Sequence, residues 1–183
     1  KINVISINDA PSKFTQRLFN ETEFNYKYLS SNNLDYSELP NQDLLILNEL
    51  ETVPASLTDA LRSFSDNGGT ILIIPSEKGD LNEYNRLLTL LKSGSFTELI
   101  DQEKKISQIA FEHPLYQGVF EKKVLNFQYP KVNSFFNLNT SASSLLKYED
   151  NQAFLVQKNN TFVFTAPINN ENSNFQSSPL IVP

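Results

Sequence analysis

Residues 56–75 read SLTDALRSFSDNGGTILIIP, and no other stretch narrows the fold as far. Leu57, Ala60, Leu61 and Phe64 recur at i, i+3, i+4 and i+7, the spacing that gathers apolar side chains on one helical face. Asn67-Gly68-Gly69 follows, and glycine readily takes the left-handed position just past a helix end. Thr70 to Ile74 is then aliphatic almost throughout, and Pro75 closes it. A short run of this kind reads as a strand buried on both faces, as in a parallel sheet covered by helices.

The same texture extends to either side. Residues 2–7 and 44–47 predict two more buried strands, and residues 24–29 alternate at period two like a strand nearer an edge. A helix is expected from Pro11 or Ser12, with Phe14, Leu18 and Phe19 on its apolar side. Another is expected over 80–92, capped by Asp80 or Asn82 and stopped by Gly94. After residue 96 helical periodicity ends. Short β-prone pieces follow at 96–100, 107–111, 124–127, 134–138, 144–148, 153–157 and 161–165, the last two joined by an Asn159-Asn160 turn. The predicted fold class is α/β, an open, mostly parallel, flavodoxin-like sheet with helices on both faces, extended by a β-rich C-terminal half. Residues 1–183 read as a single domain, with an α/β core over 1–95 and a β-rich extension over 96–183. No Met opens the chain and Leu180-Ile181-Val182 is apolar, so the domain is expected to be a fragment of a longer protein.

Charge and composition exclude several function classes. Fifteen Lys and Arg against 21 Asp and Glu leave a net charge of −6, without the basic footprint that nucleic acid or anionic lipid requires. The chain has no Cys, hence no disulfide, thiolate metal site or Cys nucleophile. One His and no Cys make a poor zinc set, and neither a metal nor any other cofactor is expected.

A helix followed by Gly68-Gly69 and an aliphatic strand, and later Glu112-His113-Pro114-Leu115-Tyr116-Gln117-Gly118-Val119-Phe120, resembles class I glutamine-amidotransferase-like domains. The trehalose-utilisation branch carries a similar His-Pro-x-x-x-Gly segment before a β-rich stretch. Phe120–Pro130, FEKKVLNFQYP, resembles the C-terminal region of aerotolerance-type, BatA-like bacterial membrane proteins. That resemblance implies a non-catalytic domain held outside the inner membrane, on the periplasmic side, with other envelope or membrane proteins as partners. The superfamily's Gly-x-Cys-x-Gly nucleophile elbow is missing here, and its later Gly-His pair has no match around Ala166-Pro167-Ile168. The resemblance therefore implies the fold without the amidotransfer chemistry.

The residues themselves leave alternatives open. Ser76, just past the strand at 70–74, is a conceivable nucleophile, with His113 as base and Glu49, Glu77 or Glu112 behind it. Pro75 and Glu77-Lys78 do not make an elbow, so a polar connection into the next helix explains Ser76 equally, and a turn before Pro114 explains His113. Asp9, Asn48, Glu49, Ser76 and Glu77, with Asp80 beside them, fall where open α/β sheets bind ligands, at the carboxyl ends of strands. They form a candidate cleft for a sugar or peptide, or else a set of solvated helix starts. Phe127, Tyr129, Phe135 and Phe136 are candidates for an interaction surface, with core packing as the other reading. The functional expectation is a catalytically inactive interaction or scaffold domain. The alternatives are a Ser76 hydrolase and a binding module.

Overall fold

The computed structural model describes residues 1–117 and 128–178. The strand expected at 124–127, the candidate Phe127 and the apolar 180–182 segment lie outside the described residues. Nine strands of the described residues form one sheet in the order β2-β1-β3-β4-β9-β8-β7-β5-β6. β1 (Ile2–Asn8), β2 (Phe24–Ser30), β3 (Leu44–Asn48) and β4 (Thr70–Ile74) are mutually parallel, and β2 is an edge. β9 (Thr161–Phe164) continues the parallel half beside β4. β8 (Ala153–Lys158), β7 (Ser143–Tyr148), β5 (Ser95–Ile109) and β6 (Lys131–Asn139) add antiparallel strands beyond it. Lys158 pairs with Thr161 across a two-residue turn, and Asn159 takes the positive φ of 51° that such a turn needs. The fold is thus a mixed α/β sheet, as the buried runs predicted.

Among the described residues three α-helices flank it: α1 (Lys13–Leu18), α2 (Ala55–Asp66) and α3 (Leu81–Leu90). Period-two alternation sorts each strand into two cores. Ile5, Ile7, Leu45, Leu47, Ile71 and Ile73 meet Leu57, Leu61 and Phe64 of α2 and Tyr84, Leu87 and Leu88 of α3. Val4, Ile46 and Ile74 face the other way, toward Phe14 and Phe19 of the α1 segment and an aromatic group that includes Phe154, Phe164 and Phe175. Helices do lie on both faces, but α2 and α3 share one. The cause is the direction of travel. From β1 the chain steps outward to β2, and from β3 it steps the opposite way to β4. Right-handed crossovers made in opposite directions put their helices on opposite faces.

α2 ends in the expected glycine pair: Gly69 N–H reaches Phe64 O at 3.0 Å and Gly68 N–H reaches Ser65 O at 2.9 Å, with Gly68 at φ 89°. This is the Schellman pattern of paired end bonds. α3 closes on the same two bonds, Ser93 N–H to Leu88 O and Lys92 N–H to Thr89 O, but the left-handed residue there is Lys92, at φ 58°.

Two expectations change. The pieces at 96–100 and 107–111 are one 15-residue strand, β5, whose pairing with β6 and β7 slips at bulges that interrupt its apolar pattern. Phe135 and Phe136 are core residues rather than a surface. As neighbours on β6 they point to opposite faces and both are buried, Phe135 against Tyr148 and Phe136 against Phe96. A strand buried on both sides turns two adjacent aromatics into two cores. Tyr129 alone of the described members of that group is exposed.

Candidate functional site

The reversal between β1 and β3 creates a topological switch point, and open α/β sheets offer a crevice there at the carboxyl ends of the strands. A cleft of about 820 Å³ occupies this position. Asp9 after β1, Asn48 and Glu49 at the end of β3, and Ser76 and Glu77 after β4 all line it. The five cleft residues expected from the sequence are therefore brought together.

Their roles differ. Asp9 is a brace: its carboxylate accepts the Glu51 N–H at 3.0 Å and the Ser31 hydroxyl, tying two loops together. Glu49 stands in the left-handed region at φ 54°, where a residue with a Cβ is strained, and its N–H donates to Ile74 O at 2.8 Å. Desolvation raises the Glu49 carboxyl above its ordinary pKa, against the hydrogen bond from Asn169, and the nearby Glu77 and Glu171 charges push the same way. Tyr84 fixes the loop behind: its hydroxyl donates to Leu50 O at 2.6 Å. Burial lifts that phenol far above its usual range, so it serves as a neutral tie.

Ser76 is buried, and its Oγ accepts the Lys78 N–H at 3.2 Å within its own turn. His113 does not line the cleft. Its Nδ1 accepts the Leu115 N–H at 3.2 Å and caps the short turn Pro114–Tyr116, as the pre-proline reading allowed. Asp80 is likewise outside the lining: it is the α3 cap, accepting the Glu83 N–H at 3.0 Å. Among the described residues no group of three or more His, Asp and Glu side chains is placed to hold a metal ion.

The far wall was not legible in the sequence. Ile168, Asn169, Asn170 and Gln176, from the segment after β9, complete the cleft, and Lys13 and Arg17 enter from α1. Asn169 Nδ2 donates to Glu49 Oε1 at 2.6 Å. Asn172 anchors the same segment by donating to Ser134 O and Pro167 O, each at 3.0 Å. The Asn-rich run 169–174 was the available signal, but local pattern gives it no address across the sheet.

Neither a protein-family model nor a curated protein matches the chain. Solved structures do. A ThuA-like protein from Bacteroides uniformis is 12% identical with a TM-score of 0.59, over 89% of this chain and 80% of that one. A glutamine amidotransferase from Thermotoga maritima is 11% identical with a TM-score of 0.56, over 89% and 74%. The chain shares the fold of these two proteins. The GH42 beta-galactosidase Gan42B aligns over 96% of this chain at 13% identity and a TM-score of 0.64. The chain spans 28% of that enzyme's length.

Proposed function

We propose that the chain is a catalytically inactive amidotransferase-like domain whose strand-end cleft binds a ligand without turning it over. In this reading it is the interaction or scaffold module of a membrane-anchored bacterial envelope protein. It stands on the periplasmic side of the inner membrane, and other envelope proteins are its partners.

The observation that carries the reading is the engagement of Ser76 and His113 in separate local turns. A serine nucleophile needs a base within hydrogen-bond reach and a third group to orient that base. Ser76 Oγ instead accepts from Lys78 N–H, and the chain's single His accepts from Leu115 N–H away from the cleft. Envelope placement is supported by the resemblance of Phe120–Pro130 to BatA-like proteins.

The test is turnover of glutamine and of p-nitrophenyl acetate by the purified domain, beside Ser76→Ala and His113→Ala. The expected result is the same background rate for all three proteins. Turnover that either substitution abolishes while the protein stays folded would establish the hydrolase alternative. Protease accessibility of the full-length protein in spheroplasts tests the placement, and protection from protease contradicts it.

A further inference from the structure

Asn67-Gly68 is the chain's single Asn-Gly pair, and both residues are exposed at the C-terminal end of α2. Asparagine is a chemically labile side chain, and a following glycine lacks the Cβ that would shield its own amide nitrogen. The Gly68 nitrogen can attack Asn67 Cγ. The N–Cγ bond forms, the Cγ–Nδ2 bond breaks, and ammonia leaves with the proton that Gly68 N gives up. Water then opens the five-membered imide at either carbonyl. The products are aspartate and isoaspartate, in which Cβ joins the main chain. Nothing is oxidised or reduced, and water is the co-reactant.

The fold holds both reacting groups elsewhere. Gly68 N–H donates to Ser65 O at 2.9 Å. Asn67 Nδ2 donates to Ser63 O at 2.8 Å, the carbonyl that also accepts Asn67 N–H at 3.1 Å. The Asn67 amide therefore points back along α2, away from Gly68 N. Attack requires both groups to leave these partners, so it passes through an opened helix end. Asn160, on the turn before β9, resists that opening. Its Nδ2 donates to Gly68 O at 3.3 Å, and its carbonyl accepts Ile71 N–H at 2.9 Å. Reclosing does not undo the reaction. Either product has lost the Nδ2 donor and gained a negative charge beside Asp66, at the negative end of the helix dipole. We propose that Asn67-Gly68 is a spontaneous modification site, held in check by the folded end of α2 and released when the corner between α2 and β4 opens.

The experiment follows the purified domain at physiological pH and temperature by peptide-mapping mass spectrometry, with isoaspartate scored by electron-transfer fragmentation. A synthetic peptide of residues 60–75 supplies the rate without the fold. In the folded protein Asn67 should be the first asparagine to convert, at a rate about tenfold or more below that of the peptide. Asn160→Ala removes the bond onto Gly68 O and leaves the reacting pair untouched. It should speed conversion about twofold or more while urea unfolding remains a single transition. Unfolding the parent in urea should bring its rate to that of the peptide, which guards against a folding defect in the variant as the cause. The inference is overturned if the folded protein converts as fast as the peptide, if another asparagine converts ahead of Asn67, or if Asn160→Ala converts no faster than the parent.

Discussion

Asn169 donates its Nδ2–H to Glu49 Oε1 at 2.6 Å, joining residues 120 apart in sequence. This bond latches the segment after β9 onto the end of β3 and closes the far wall of the cleft. It also holds a carboxyl whose backbone is strained and whose surroundings favour the neutral form.

That position predicts a pH dependence. A carboxyl with a folded pKa above its unfolded value binds more protons folded than unfolded between the two. Its destabilising effect is absent below the unfolded pKa and grows as pH rises through the folded one. Glu49→Gln keeps an acceptor for Asn169 and removes the charge. The variant should match the parent in melting temperature near pH 4, just below the ordinary glutamate value, and exceed it near pH 7.5, well above that value. A gap that is constant with pH, or that shrinks as pH rises, contradicts this.

The two Schellman ends supply a second prediction. Gly68 and Lys92 hold the same left-handed position, but Lys92 carries a Cβ. Lys92→Gly should stabilise the domain by about 0.5–1 kcal/mol, the strain relieved less the entropy glycine adds to the unfolded chain. Urea denaturation measures it as a higher midpoint at unchanged slope. No gain would mean that the Lys92 side chain makes a compensating contact.

The balance of helix, strand and turn signals was readable because each rests on local chemistry. The aliphatic runs gave β1, β3 and β4, and Ser12, Asp80 and Gly68 marked helix ends where the structure has them. The near wall of the cleft was legible for the same reason, since strand ends in a parallel sheet share one edge. The far wall was not, because Asn169 and Gln176 reach the cleft only after the chain has built its antiparallel half. The aromatic pair Phe135-Phe136 stayed open between surface and core for a related reason. Period two places one of them outside unless both faces are covered, and only the assembled sheet shows that they are.

Lys104 tests how the antiparallel half is held. Its ammonium lies 4.1 Å from the centroid of the Phe135 ring and 5.5 Å from that of Tyr148, and it pairs with Asp150. The site is asymmetric, because Lys104 is nearly enclosed and Asp150 is not. Asp150→Asn leaves an enclosed cation without its counter-charge and should cost about 1–2 kcal/mol, below the range for fully buried pairs. Lys104→Met keeps the stem packing and should be close to neutral. Equal losses in the two variants would mean that the pair itself, not the enclosure of the cation, is what matters.

Ile73 anchors the face that α2 and α3 share and is fully buried. Ile73→Ala should cost about 2–5 kcal/mol through lost burial and the cavity left behind. Leu99→Ala, on an exposed side chain, should stay within about 0.5 kcal/mol. Thermal melts of the two variants compare them directly, and similar losses would contradict the assignment of the core.

The central claim, that Ser76 is a turn residue and not a nucleophile, is tested most directly by covalent labelling. An activated serine attacks a fluorophosphonate and keeps the phosphonyl group, which intact-protein and peptide mass spectrometry locate. A hydroxyl that accepts from the Lys78 N–H, with His113 held in a separate turn outside the cleft lining, should stay unmodified under conditions that label a serine hydrolase control to completion. Stoichiometric labelling of Ser76 that His113→Ala prevents would contradict the account.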